Sequence, residues 1–331
     1  LKPCNGPWWL RPLTAVALVA NHQIWKAWKP PFKTRFRLGE NVQIVDLLQT
    51  NFLHLRTMSH PNTSSTTVSP FQGAIGVFDS GVGGLSVLRA IRAALPHEHL
   101  VYVADSGHAP YGDQSEAHIT QRTLTVGNWL AEQGVKGITI ACNTATVVAA
   151  KTLRDQTHLP VVAIEPAIKP AVALTRSGVV GVLATRQTVQ SASVARLVEL
   201  YGADKRILLQ GCPGLVEQVE RADLHSAETE ALLRQFITPL IEQGADTLVL
   251  GCTHYPFLRD TIQRVAGEGV TLLDPAEAVA RELARRLADS GSLSSASTQG
   301  AVQFFTSGDV AQAQAVMSHL WDAPLTVQAL P

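Results

Sequence analysis

GITIACNTAT (137–146) and TLVLGCTHYP (247–256) repeat one design in separate halves of the chain. In each, a short run rich in apolar and β-branched residues reads as a strand that ends at a cysteine, and small polar residues follow. Six more runs of this kind lie around them: AIGVFD (74–79), LVYVAD (100–105), VVAIE (161–165), VVGVLA (179–184), RILLQ (206–210) and TLLD (271–274). They alternate with helical patterns, which predicts βαβ units and mainly parallel sheets covered on both faces by helices, an α/β fold. Between Ala227 and Gln243, Leu232, Leu233, Phe236, Ile237, Leu240 and Ile241 share one helical face and read as core, with Pro239 expected to kink the helix. A Ser/Gly-rich linker, DSGSLSSASTQG (289–300), precedes a strand-like VQFF (302–305) and a helix-like stretch from Asp309 to Leu320. This tail is expected to return and pack on the first domain.

The chain is 331 residues long, 46% hydrophobic and 16% charged, enough to bury a substantial core and long enough to expect two domains. Lys+Arg and Asp+Glu number 27 each, so no net field draws the chain towards nucleic acid or an anionic membrane, and a small-molecule partner is expected. Cys4, Cys142, Cys212 and Cys252 form no CxxC pair and no close Cys/His cluster, which argues against a disulfide framework or a metal cage. The apolar run Leu13–Ala20 is too short to cross a bilayer, and despite Lys2 and Arg11 before it no convincing small-residue cleavage site follows. Residues 1–72, with PWWL, IWKAWKPPFK and scattered prolines, show no sustained period and read as an extension outside the main fold. Met58 opens a polar stretch, SHPNTSSTTVSPFQ, and is the expected native start. The alternative is a genuine disordered or targeting extension, which N-terminal mass spectrometry of the native protein separates.

Ligands of open α/β sheets bind beyond the carboxyl ends of the strands, where helix N-termini offer free N–H groups and the positive end of the dipole. Cys142 and Cys252 are thus expected to face a bound anion, with thiol pKa values drawn from about 8.5 towards neutrality. Thiol and thiolate would then both be accessible, as a racemase needs when one face of its substrate loses a proton and the other gains one. A buried cysteine taken singly is more often a small hydrophobe; the two matched placements favour chemistry. Cys212, in QGCPGL, lacks the polar followers and reads as packing. In FDSGVGGLSVLRAI (78–91), Asp79 and Ser80 precede Gly81, Gly83 and Gly84, a turn open to close backbone approach and positive φ. It is neither GxGxxG nor GxxxxGK[ST], so it supports a generic anion-binding turn or a helix merely capped by Asp79. SGHAPYGDQS (106–115) offers the Tyr111 hydroxyl and the Gly112 amide near the same edge, unless it is an ordinary turn. His254 suits positioning or protonating a carboxylate or holding a thiol's charge state, or else capping. Glu165, before Pro166, either tunes His254 or caps a helix.

Taken together, IGVFDSGVGGLSVLRAI, YVADSGHAPYGD, ITIACNTAT, AIEPAIKPA and LVLGCTHYPFL closely resemble the glutamate racemases of the aspartate/glutamate racemase superfamily, from about Gly73 to the C-terminus. The paired ACNTAT and GCTHYP are the most specific part. The N-terminal residues and Val147, where alanine is expected, depart from the pattern without touching the expected catalytic groups. The resemblance implies that Cys142 and Cys252 are the catalytic acid and base on opposite faces of the substrate. It implies substrate binding by Asp79 and Ser80, Tyr111 and Gly112, Asn143 and Thr144, and Thr253 and His254. Asp79 would assist Cys142, with His254 and Glu165 on the Cys252 side. The implied fold is two similar α/β domains with the site in the cleft between them, the first at 73–165 plus 276–331 and the second at 166–275. No pyridoxal phosphate, nucleotide or metal would take part. The implied reaction turns L-glutamate into D-glutamate for peptidoglycan in the cytoplasm, with a second copy of the chain as a candidate partner. An aspartate or hydantoin racemase would share the cysteines but differ in the side-chain pocket. A binding protein for acidic ligands would bind without solvent exchange at Cα, and a thiol-redox protein would cycle a disulfide.

Overall fold

The computed structural model of the protein describes residues 71–331. The expectations for Cys4, the run at 13–20 and the start at Met58 lie outside the described residues. Phe71, assigned by the sequence to the extension, is buried: its ring packs against Trp129 at 6.2 Å and Phe305 at 5.6 Å between centroids. The packed chain therefore includes residue 71. Phe71→Ala is expected to cost about 3 kcal/mol of stability through lost burial and a residual cavity, read as a lower midpoint in urea.

Among the described residues, ten strands form two sheets and every pairing is parallel. In chain order they are β1 (Ile75–Asp79), β2 (Leu100–Ala104), β3 (Gly137–Ile140), β4 (Val161–Ala163), β5 (Val179–Ala184), β6 (Arg206–Gly211), β7 (Thr247–Leu250), β8 (Thr271–Leu273), β9 (Val302–Thr306) and β10 (Val327–Ala329). One sheet runs β10-β9-β2-β1-β3-β4 and the other β6-β5-β7-β8. Taking β1–β4 and β5–β8 as two series, both run fourth, third, first, second, so the second sheet repeats the core of the first. The central strands β1, β3, β5 and β7 are buried along their whole length, which is why they read as continuous apolar runs, whereas edge strand β6 is partly exposed.

The tail returns to the first sheet: β9 pairs with β2, and β10 adds an outer strand too short to leave a period in the sequence. The helix Ala227–Glu242 buries Leu233, Phe236, Ile237 and Leu240 while keeping Pro239 inside it, with Leu232 and Ile241 half-buried at the stripe's margin. β4 stops at Ala163, two residues before the end the sequence suggested, and this shortening matters for Glu165. Among the described residues no helix is long and apolar enough to cross a membrane.

Candidate active site

Register sets the site. Phe78 of β1 lies beside Ile140 of β3, so Asp79-Ser80 and Ala141-Cys142 leave the first sheet side by side. Leu183 of β5 lies beside Leu250 of β7, and Thr185 and Cys252 leave the second sheet in the same way. Each cysteine follows the third strand of its series. Loops from both sheets close over a small pocket. Ser80, Tyr111, Gly112, Cys142, Asn143 and Thr144 line it from the first sheet, and Thr185, Val216, Cys252, Thr253 and His254 from the second.

Cys142 caps the helix Asn143–Gln156, its sulfur accepting the Ala145 N–H at 3.4 Å, while its thiol donates to Ser80 Oγ at 3.5 Å. Ser80 N–H and Oγ–H in turn donate to Asp79 Oδ1 at 2.8 and 3.4 Å, and Thr253 Oγ–H donates to Asp79 Oδ2 at 3.0 Å. Asp79 is thus no helix cap: Gly84 occupies that position without a side-chain bond, and Asp79 ties the first sheet's turn to the second sheet's Cys-Thr-His loop.

Burial raises the Asp79 carboxyl above its ordinary range, although the charge of His254 and the donors around it pull the other way. Burial also pushes the Cys142 thiol up, and the neighbouring Asp79 carboxylate adds to the rise against the Ala145 and Ser80 hydrogen bonds. The sequence-based expectation that the helix N-terminus would draw this thiol towards neutrality is therefore corrected. One N–H bond to sulfur is outweighed by desolvation beside an acid, so Cys142 rests as the protonated thiol.

On the other side, His254 Nδ1 lies 3.6 Å from Cys252 Sγ, and Nε2 lies 2.7 Å from Glu220 Oε1, which also accepts the Val82 N–H at 2.7 Å. Burial opposes the imidazolium, yet the hydrogen bonds to Cys252 and Glu220 outweigh it and hold the His254 pKa well above the usual histidine range. With Nε2–H engaged by Glu220, Nδ1–H of the imidazolium points its charge at the Cys252 sulfur.

Glu165 does not take this part. β4 ends early, the side chain is exposed, and Glu220, at the end of the helix Leu215–Glu220, is the carboxylate against His254. No motif flags Glu220 in the sequence, because its role depends on packing between distant segments. Thr185, which the sequence reading passed over, follows the first strand of its series as Ser80 follows β1, and that position is the signal that could have found it. Cys212 is buried in the core, its thiol donating to the Gln210 carbonyl at 3.4 Å, as a packing cysteine would be.

Gly81, Gly83 and Gly84 all have ordinary negative φ, correcting the expectation of positive φ. What they supply is room: a methyl group would overlap the Glu220 carboxylate at Gly81, the His254 ring at Gly83 and the Asp79 Cβ at Gly84. Gly83→Ala is expected to push His254 off Cys252 and lower kcat about tenfold, since a small misplacement of a reacting group is costly. Steady-state rates of the purified variant, whose melting temperature should change little, check this.

Asn143 is buried, and neither Oδ1 nor Nδ2 has a hydrogen-bond partner among the described residues. A buried amide beside both cysteines with neither end satisfied is unusual unless a ligand completes it. The Tyr111 hydroxyl, which the sequence offered to a ligand, is instead donated to Asp105 Oδ2 at 2.5 Å. Among the described residues no cluster of three or more His, Cys, Asp or Glu side chains is arranged to hold a metal ion.

The profile of the Asp/Glu/hydantoin racemases matches residues 75–283. The chain belongs to this family of racemases. Within it, the chain is similar to the glutamate racemase of Methylococcus capsulatus, with 52% identity over 257 residues, 78% of this chain and 95% of the relative. Among solved structures it is similar to a glutamate racemase isoform from Bacillus anthracis at 31% identity, with a TM-score of 0.72 over 78% of this chain and 97% of the other. It is also similar to the Escherichia coli glutamate racemase solved with L-glutamate and the activator UDP-MurNAc-ala, at 34% identity and a TM-score of 0.70 over 78% and 98%.

Proposed function

We propose that this chain interconverts L- and D-glutamate by a two-base transfer of the Cα proton between Cys142 and Cys252. The observation that carries the reading is that two cysteines from equivalent strand ends line one cavity, each backed by its own proton-holding group. For one enantiomer a thiolate removes the Cα proton, a short-lived carbanion forms, and the thiol on the other face returns a proton; the other enantiomer reverses the assignment.

Asp79, reached from Cys142 through Ser80, is the group that can hold the Cys142 proton; His254, backed by Glu220, does so for Cys252. A Cα–H beside a carboxylate is weakly acidic, so charge growing on that carboxylate needs preorganised donors. The Asn143 amide, the Thr144 hydroxyl and the N-terminus of the helix Asn143–Gln156 are suited to this. The Tyr111–Gly112 turn supports the rest of the substrate through backbone N–H groups and the ring, because the Tyr111 hydroxyl proton is already committed.

We place the first domain at 73–165 plus 276–331 and the second at 166–275, with the cavity between them. The product would serve peptidoglycan synthesis. Thiol acid–base chemistry suits the reducing cytoplasm, where Cys142 and Cys252 stay free. The test is proton NMR of L-glutamate with the purified protein in D₂O without added cofactor, beside L-aspartate and a chiral assay. Loss of the glutamate Cα–H signal with D-glutamate appearing is expected; turnover of aspartate instead, or binding without exchange, would overturn the reading.

A further inference from the structure

Three residues, two from the motif YVADSGHAPYGD and one from the helix that follows it, meet behind the wall of the cavity. Asp105 follows β2 and is fully buried; Tyr111 sits in a short helical turn six residues on; Arg122 lies on the helix Glu116–Glu132. Arg122 grips the carboxylate in a fork, Nε donating to Oδ2 and Nη2 to Oδ1 at 2.9 Å each, while Tyr111 Oη–H donates to Oδ2. The guanidinium is mostly covered, its side chain 17% exposed, so the pair is poorly screened and geometrically demanding. Burial and the Asp105 charge push the Tyr111 pKa far up, so the phenol stays a donor to Asp105 at all ordinary pH. Asp105 is not itself part of the cavity lining, whereas Tyr111, which it holds, and Gly112 both are.

We propose that Arg122 is a positioning residue for substrate: through the Asp105 carboxylate it holds Tyr111, and with it the Tyr111–Gly112 turn, in the conformation that receives the substrate. This rests on the reading that the cavity binds glutamate. Without Arg122 a buried Asp105 would keep only one strong donor and would draw water or Tyr111 out of place. The turn's backbone N–H groups would then be offered at the wrong angle. Substrate capture suffers, while the cysteines, held by other strands, keep their chemistry.

The test compares Arg122→Lys, Arg122→Met, Tyr111→Phe and the Arg122→Met/Tyr111→Phe double variant in the full chain, measuring kcat and KM for both enantiomers and the melting temperature. Arg122→Met is expected to raise KM about tenfold, the order of a lost charged hydrogen bond. Its kcat should stay within about threefold of wild type, the pattern of lost binding rather than lost chemistry. Arg122→Lys, which keeps the charge without the fork, should fall between, and it carries the test if the methionine variant does not fold. Because Arg122 acts through Tyr111, the double variant should show a KM no higher than the worse single variant. Multiplying KM effects, or wild-type KM in both Arg122 variants with only the melting temperature lowered, would overturn the proposal alone. A wild-type protein silent on glutamate would overturn the glutamate reading and this one with it.

Discussion

Cys142→Ser and Cys252→Ser are each expected to lower racemisation of glutamate by at least about 10³-fold, because each removes one of two obligatory proton carriers. Serine fits the same space, but a hydroxyl holds its proton far more tightly than a thiol and is a poor base near neutrality. The folds should survive, since both side chains are small and their strand ends are held by neighbouring strands. The sharper readout is exchange with D₂O. With one sulfur gone, the remaining thiol and its partner, Asp79 for Cys142 or His254 for Cys252, can still remove a proton from one face. Each variant should therefore wash out the Cα proton of one enantiomer only, and the two variants should differ in which. Full activity in either, or loss of exchange from the same enantiomer in both, would sink the two-base scheme.

The second large effect concerns the His254–Glu220 pair. His254→Gln is expected to cut kcat/KM about a hundredfold, the lower range for a general acid–base group. Glu220→Gln should act more gently at low pH and increasingly as pH rises. Glu220 and Cys252 hold the histidine pKa above its ordinary value of about 6.5. Removing the Glu220 charge lowers it, so the alkaline limb of the kcat/KM profile should move to lower pH. The same linkage governs stability. A raised histidine pKa means the folded state holds a proton the unfolded chain releases, so the stabilisation is complete below about pH 6.5 and is lost as pH rises through the raised value. The melting-temperature gap between wild type and Glu220→Gln should accordingly be widest near pH 6 and shrink in alkaline buffer. A gap independent of pH, with an unmoved alkaline limb, would remove the imidazolium from the account.

Local features were readable for a physical reason. A strand covered on both faces must be apolar throughout, so β1, β3, β5 and β7 stood out as runs. A ligand-binding edge must lie at the carboxyl ends of such strands, which singled out Asp79, Ser80, Cys142, Cys252 and His254, while Asn143 came from the family resemblance. Glu165 misled because the same rule was applied to a strand that stops two residues early, and strand ends leave little trace in a sequence. β10, at three residues, was too short to register.

The sequence by itself determined the α/β class, the two matched strand-to-cysteine junctions and the racemase family, since these depend on near neighbours along the chain and on motifs kept in order. Tertiary structure decided which carboxylate serves His254, that Asp79 bridges the two sheets, and that the Tyr111 hydroxyl is spent on Asp105. It also decided which way the Cys142 thiol shifts. Each of these turns on groups brought together from separate segments, such as Glu220 with His254, 34 residues apart, and Asp79 with Thr253, 174 residues apart. Desolvation and hydrogen-bond geometry are properties of the packed site, and short stretches of sequence do not encode them.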